Sequence, residues 1–335
     1  MLNLRKLSYM KAKWVFIGIS LVITLAGLIS MGVRGLNYGL DFQSGTRIDI
    51  SFGHQMNTAD IRNALVGIGH GDAKVQVVGT DKHEVIIVTR SLSTEDRRTM
   101  QAGLEAKLGK FDVLAMDDVG PEFSKELVNT TLLAVAVASI GMLIYMTIRF
   151  EYRFATAGII ALLHDALILT GVFSLIGKEI NIPFVAALLT MLGYSINDTI
   201  VVYDRIRENL KKCKKGEGLE ELVDRSIGEV IWRSIGTSLT TLLAIAAVYV
   251  FGGPTTKDFA LALLIGITSG TYSSIFIASP IWVLWRNADE RKKLQAKTAA
   301  KGKAATPTAT AGKPSAGGGK KASAKSAKAA KSTAK

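Results

Sequence analysis

Six stretches of the chain are apolar over twenty or more residues, and polar segments separate them. They are residues 14–33, 127–148, 154–177, 182–203, 234–253 and 259–285. About 20 apolar residues suffice for a helix to cross a bilayer, so the pattern predicts six transmembrane helices. The first stretch is longer than the apolar part of a signal peptide, and no clear small-residue cleavage site follows it. We therefore expect it to remain as an anchor.

The segment between the first two stretches, residues 34–126, has the pattern of a small α+β domain. Alternating and β-branched residues predict strands at 46–52, 74–78, 85–89 and 111–119, and apolar residues at helical spacing predict helices at 57–68 and after Ser93. Ser93 is a favourable N-cap, and Asp96 follows it as in a capping box. The resulting order, β-α-β-β-α-β, predicts a ferredoxin-like fold.

Basic residues cluster at alternate ends of the predicted spans. The clusters lie in residues 5–13, 149–153, 205–215 and 286–293. The short loops at the opposite ends contain only Lys178 and Lys257 as basic residues. Because basic loops remain cytoplasmic, residues 1–13, the loop 204–233 and the tail 286–335 are predicted to be cytoplasmic. The α+β segment is then extracytoplasmic.

The C-terminal tail carries most of the net charge of +13, with fourteen Lys or Arg and two acids in residues 286–335. From about residue 297 it contains no large apolar side chain, so we predict that it is disordered. Scattered lysines attract phosphate groups without specificity. A solvated tail with no fixed partner and a tail that contacts nucleic acid, the ribosome or anionic lipid both remain open.

Two acids lie within apolar stretches. Asp198 is the only charged residue of 182–203, and Asp165 follows His164 inside 154–177. A carboxylate at membrane depth costs roughly 2.5–3.5 kcal/mol on insertion scales, and such residues often mark proton or ion paths. The sequence therefore predicts an energy-coupled membrane protein.

Each of these residues also has a purely structural interpretation. Asp198 could be solvated near a helix end, and His164 with Asp165 could be a satisfied hydrogen-bonded pair that holds two helices together. Arg233, just before the fifth stretch, could extend its side chain to the membrane surface. No nucleophile or metal-ligand cluster accompanies these residues, so we predict neither an enzyme nor a metal or organic cofactor.

Small residues repeat every four positions along the sixth stretch, at Ala262, Gly266, Gly270, Ser274 and Ala278. Small residues let transmembrane helices approach closely, so this face is predicted to pack tightly against another helix. The sequence leaves open whether that helix belongs to the same chain.

Several motifs are similar to those of one known family. They are Gly193-Tyr194-Ser195-Ile196-Asn197-Asp198-Thr199 followed by Asp204-Arg205-Ile206-Arg207-Glu208-Asn209, Ile148-Arg149-Phe150-Glu151, His164-Asp165, Phe251-Gly252-Gly253-Pro254, and Leu40-Asp41-Phe42-Gln43-Ser44-Gly45-Thr46. Over roughly residues 1–290 the chain resembles the SecF family of protein-export membrane proteins. In the last motif Ser44 replaces the first of two glycines, and we expect little effect because Gly45 remains.

The resemblance implies half of an RND-type transporter in the bacterial inner membrane, with six helices and one large outer domain. It implies that the chain works with SecD, uses the proton-motive force, and promotes export of preproteins after SecYEG. The implied partners are SecD, YajC, the SecYEG translocon, the translocating preprotein and membrane lipid, with protons as the coupling ion. Sodium in place of protons remains open.

The resemblance also assigns the site. The family's essential acid falls on Asp198 and its essential arginine on Arg233, and Asp165 and His164 are further candidates for the relay. The supporting motif consists of Gly193, Tyr194, Ser195, Asn197 and Thr199. The alternative function is half of a proton-coupled RND exporter of small molecules, for which a single small outer domain is atypical. A SecD-like subunit that co-purifies would distinguish the two.

Overall fold

The structure is a computed structural model, and it describes residues 8–78, 83–213 and 216–304. The chain divides into two units, residues 1–287 and 288–335. The elements are α1 (Tyr9–Val33), α2 (Leu40–Gln43), β1 (Gly45–Phe52), α3 (Thr58–Val66), β2 (Lys74–Val78), β3 (Glu84–Thr89), α4 (Thr94–Leu108), β4 (Phe111–Val119), α5 (Pro121–Arg149), α6 (Tyr152–Ile176), α7 (Ile182–Lys211), α8 (Leu219–Phe251), α9 (Pro254–Ser273), a π-helical segment (Ser274–Ala278) and α10 (Ser279–Ala304).

Six helical segments of the described chain are long and apolar enough to cross a membrane. They are α1, α5, α6, α7, α8 and the continuous stretch Thr256–Lys293, which includes most of α9, the π-helical segment and part of α10. The prediction of six apolar helices is confirmed. Apolar residues of the spans form one core that includes Phe173, Met191 and Trp282, whereas many other apolar side chains of α1, α5 and α8 are exposed, as in helices that face lipid.

The helices extend beyond the apolar stretches because local signals set their ends. Proline stands at the first or second position of α5, α7 and α9, where its missing N–H costs nothing. Asn181 caps α7 by accepting a hydrogen bond from the Phe184 N–H. Gly177 ends α6 in the left-handed conformation, at φ 71°. Helix α7 continues beyond its apolar stretch through charged residues and ends at Lys211.

The loop predicted at 204–233 is largely helical. The amphipathic segment after Gly218 and the fifth apolar stretch form one helix, α8, with no break at Arg233. Leu222, Val223 and Ile227 are fully buried in the core of the bundle. The spacing of these apolar residues predicts an amphipathic helix at 219–232, on the membrane surface or under the bundle, and the structure shows that the face packs into the bundle.

Between α1 and α5 lies a four-stranded antiparallel sheet with strand order β2-β3-β1-β4. Helix α3 follows β1 and α4 follows β3, so the element order is β-α-β-β-α-β. Ile48, Ile50 and Ile87 of the sheet are buried in one apolar cluster with residues of the two helices, such as Leu65 and Met100. Strands β2 and β4 lie at the predicted positions, and residues 79–82, between β2 and β3, lie outside the described residues.

Ser44 has a backbone conformation that favours glycine. Its φ is 59° and its ψ 155°, and it is the only non-glycine residue with positive φ in the described chain. That region costs a side chain about 1–3 kcal/mol. Gly45 is needed for a different reason, because a Cβ there would lie 2.3 Å from the Thr89 carbonyl oxygen. The expectation that Ser44 has little effect stays a prediction, although its backbone conformation is one that glycine would adopt more easily.

Glycines bring pairs of helices into close contact. A Cβ on Gly266 would lie 2.8 Å from the Met191 Cβ, and one on Gly270 would lie 2.7 Å from the Ser195 Cβ. The small-residue face of α9 therefore packs against α7 of the same chain. Gly27 of α1 and Gly171 of α6 approach through their main chains, since a Cβ on Gly27 would lie 2.7 Å from the Gly171 Cα.

In the second unit, α10 continues to Ala304. Residues 297–304, for which the composition predicts disorder, are helical in the structure. Alanine and lysine are among the strongest helix formers, so a helix already begun can continue through them. The rest of the basic tail lies outside the described residues.

Candidate functional site

Asp165 is the centre of a hydrogen-bonded cluster inside the bundle. Its side chain is fully buried. Oδ2 accepts hydrogen bonds from Ser195 Oγ of α7 at 2.6 Å and Ser273 Oγ of α9 at 2.7 Å. Oδ1 accepts one from Ser269 Oγ of α9 at 2.7 Å. Three hydroxyls from two neighbouring helices thus replace water around this carboxyl group.

His164 extends this cluster to α1. Its Nδ1 lies 3.1 Å from Asp165 Oδ1, and its Nε2 is hydrogen-bonded to Ser20 Oγ. The imidazole is 13% exposed at the side chain. The cluster therefore connects α1, α6, α7 and α9. This is the arrangement expected if His164 and Asp165 form a satisfied hydrogen-bonded pair that holds helices together. It also places two groups that can exchange protons in direct contact.

Asp198 has a different environment. It is 5% exposed, and its Oδ2 makes no hydrogen bond with any described residue. The hydroxyl groups of Ser234 and Ser274 and the positive charge of Arg233 interact electrostatically with its carboxyl group. The Ser234 Oγ is also buried without a hydrogen-bond partner in the described chain. Buried polar atoms without partners cost about 1–3 kcal/mol each, so such a pair requires an explanation by bound water or by function.

Arg233 is exposed and forms no salt bridge with the residues that the structure describes, Asp198 included. It precedes Ser234 on α8 and acts on Asp198 only through its charge. The structure thus brings Arg233 to the neighbourhood of the acid but not into contact with it.

Two consecutive serines place hydroxyl groups near the two acids. Ser273 donates to Asp165, and the next residue, Ser274, acts on Asp198. Ser274 Oγ also lies 3.0 Å from Thr199 Oγ1 of α7. The π-helical segment begins at Ser274. Such segments often occur at functional sites, because the wider turn changes which side chains face a neighbouring helix.

The supporting motif divides between two faces of α7. Ser195 and Thr199 are buried within the cluster, and Tyr194 Oη lies 3.3 Å from Ser238 Oγ. Gly193 and Asn197 lie on the exposed face and do not contribute to it.

The sequence interpretation missed most of the hydroxyl groups around the two acids. These are Ser20, Ser234, Ser269 and Ser273. Ser269 and Ser273 are spaced by four within an apolar stretch, a signal that could have identified them. In the described residues, no three His, Cys, Asp or Glu side chains come together as metal ligands would.

Comparison with known proteins identifies the family. Residues 99–288 match the model "Protein export membrane protein SecD/SecF, C-terminal", and residues 29–56 match the "SecD/SecF GG Motif". The chain is 41% identical over 297 residues to protein translocase subunit SecF of Alicyclobacillus acidocaldarius, covering 86% of this chain and 96% of that one. It is 38% identical over 287 residues to protein translocase subunit SecDF of Bacillus subtilis, covering 84% of this chain and 38% of that one.

The fold is similar to that of a solved relative. The crystal structure of SecDF from Thermus thermophilus, described as a translocon-associated membrane protein, matches with a TM-score of 0.77 and 38% identity. The match covers 84% of this chain and 39% of that one. Six apolar helices around buried carboxyl groups define a multi-pass membrane protein. The chain belongs to the SecD/SecF family of protein-export membrane proteins.

Proposed function

We propose that this chain is the SecF-type subunit of a Sec protein translocase and that it promotes preprotein export by using the proton-motive force. The observation that supports this most directly is the family match over residues 99–288, the region that contains both buried acids. The chain corresponds to nearly the whole of SecF relatives and to 38% of the SecDF relative. SecD is therefore the proposed partner, since this chain matches only part of the SecDF relatives and the remainder of SecDF would correspond to SecD.

In this proposal the coupling acid is Asp198, because its Oδ2 is buried without a protein partner and is free to take a proton or a water molecule. Asp165 and His164 form the second relay group in this proposal, and the consecutive residues Ser273 and Ser274 place one hydroxyl group near each acid. Arg233 acts on Asp198 by its charge. The proposed role requires only proton transfer. The chain is therefore proposed not to be an enzyme and to use protons as the coupling ion, without a metal or an organic cofactor.

The same proposal covers location and partners. The chain lies in the bacterial inner membrane with both termini cytoplasmic, and it acts after SecYEG, with YajC as a further partner. The α+β unit is then extracytoplasmic, on the side where the preprotein emerges. Its element order and its strand order β2-β3-β1-β4 support a ferredoxin-like fold for it.

The test is preprotein export into inverted membrane vesicles that contain this chain and its SecD-type partner. Asp198→Asn should remove the part of export that a protonophore abolishes, while the amount of complex stays the same. Asp204→Asn is the matched control, since Asp204 is a half-exposed acid of the same helix that pairs with Arg149 at the surface. Export by Asp198→Asn that responds fully to the protonophore would refute the proposal. Absence of a co-purifying SecD-type subunit would instead favour the exporter alternative.

A further inference from the structure

A basic cavity lies at the end of the bundle remote from the sheet. It has a volume of about 540 Å³ and is formed where α5 ends, α6 begins, α7 ends and α10 passes. Its basic residues are Arg149, Arg207, Lys211 and Arg286, and its acid is Glu151. This volume is in the range of small-molecule sites. The proposed proton relay uses none of these residues.

Two of the four positive charges are not neutralised by the described chain. Arg207 donates only to the main-chain oxygen of Arg149, at 3.4 Å. Lys211 forms no hydrogen bond or salt bridge with the residues that the structure describes. Arg149 pairs with Asp204 at 2.8 Å. The single acid of the cavity, Glu151, pairs with Arg153 at 2.7 Å. Among the described residues, Arg207 and Lys211 have no acidic partner within salt-bridge distance, although Asp204 and Glu208 lie beside them in an adjoining groove.

The cavity borders on apolar surface. Ile148, part of its lining, is 82% exposed although it belongs to an apolar span. Next to the cavity, the rings of Tyr152 and Trp285 meet edge to face, 6.3 Å apart, and Tyr152 is 54% exposed. Tyrosine and tryptophan concentrate at the level of lipid head groups. The basic residues and the aromatic pair thus lie at the boundary between hydrocarbon and water.

We propose that this cavity binds the phosphate of an anionic phospholipid, with Arg207 and Lys211 as its principal ligands and an acyl chain along Ile148. A phosphate group offers acceptors that suit the guanidinium fork and the ammonium group. The surface around Ile148 gives the apolar part of the lipid a place that free phosphate cannot use. The site is independent of the proton relay, so either proposal can fail without the other.

The test is a lipid titration of the purified full-length chain in detergent, followed by native mass spectrometry. Phosphatidylglycerol should bind more tightly than phosphatidylcholine. The double variant Arg207→Gln, Lys211→Gln should bind phosphatidylglycerol about 25-fold more weakly, since each basic residue near an anionic surface contributes about a factor of five. Both side chains are exposed, so we expect the variant to fold, and its thermal unfolding curve checks this.

The matched control is the double variant Arg205→Gln, Lys212→Gln. It removes the same charge from α7 and the residue that follows it, but Arg205 pairs with Glu229 and Lys212 with Glu208, and neither Arg205 nor Lys212 lines the cavity. Its affinity for phosphatidylglycerol should stay within about twofold of the wild type, because these two side chains already pair with acids and do not line the cavity. Equal losses in the two variants, or equal binding of the two lipids by the wild type, would overturn the proposal. So would inorganic phosphate that competes as well as an equal concentration of lipid.

Discussion

Asp165 and Asp198 differ in the number of hydrogen bonds that they accept from the bundle. Their replacement is therefore predicted to lower the free energy of unfolding by different amounts. Asp165 accepts hydrogen bonds from three serines, whereas Asp198 Oδ2 accepts none from the described residues. Interhelical hydrogen bonds in membranes contribute about 0.6 kcal/mol each on average, so Asp165→Leu should destabilise the protein by about 2 kcal/mol. Asp198→Leu should cost less. Thermal unfolding in detergent checks the order, and a greater loss in Asp198→Leu would contradict it.

Ser44, which precedes β1 in a backbone conformation that favours glycine, leads to a second prediction at the residue scale. Ser44→Gly should raise the free energy of unfolding by about 1 kcal/mol, because glycine adopts this conformation freely and the relief exceeds its entropic cost. The measurement is thermal unfolding in detergent. Ser91→Gly, at an exposed position without positive φ, should stabilise nothing. A gain in both variants, or in neither, would argue against strain at Ser44.

Glu179, in the loop between α6 and α7, predicts a dependence of stability on pH. Burial raises its pKa above the usual 4.5, and the nearby Asp258 and Asp41 act in the same direction, although Arg47 and Lys74 oppose them. The folded state therefore favours the protonated acid. Its contribution to stability is complete below about pH 4.5 and is lost as the pH rises through the raised value.

Glu179→Gln should remove this loss. The unfolding temperature of the variant, measured at a series of pH values, should exceed that of the wild type by a margin that grows with pH above 4.5. Glu84→Gln, an exposed acid of β3, is the control and should show no growing margin. A margin that shrinks as the pH rises would contradict the assignment.

At the scale of elements, helix contact depends on residues that lack side chains. Gly270→Ala places a methyl group 2.7 Å from the Ser195 Cβ, so α7 and α9 must separate and Ser195 must shift from Asp165. Overpacking of this kind costs about 1–3 kcal/mol. Gly236→Ala on α8 meets nothing within 4 Å and should not destabilise. Thermal unfolding compares the two, and an unchanged Gly270→Ala would show that the helices tolerate separation.

The elements were more predictable than their contacts. The six apolar stretches marked the spans, and β-branched runs marked strands β2 and β3, because hydropathy and propensity act locally. The continuity of α8 depends on burial of Leu222 and Val223 by distant helices, which no local pattern contains. The sequence likewise indicated Asp165 and Asp198, whereas the spacing of Ser269 and Ser273 marks a polar stripe but not the acid that this stripe contacts, which appears only when α9 packs against α6.

At the scale of the whole molecule, the basic tail is separable from the family match, which ends at residue 288. Deleting residues 305–335 removes a segment without a large apolar side chain and leaves every described element intact. Membrane insertion and export should therefore remain within about twofold of the full chain, since such a segment buries little surface. Export per molecule in vesicles measures this. A clear defect at equal protein amount would mean that the tail has a specific partner.

The contact of Gly27 with Gly171 has a mechanical consequence. The contact is made by main-chain atoms, so no side chain at this point can loosen it by adopting another rotamer. Ser20 with His164 on one side and Ser30 with Ser174 on the other, at 2.9 Å, fasten the same two helices. Helices α1 and α6 are thus held together at three positions along their contact. Helix α1 leads toward the sheet and α6 carries Asp165, so a displacement of α1 would reach the carboxyl group through main-chain contact and not through side-chain rearrangement.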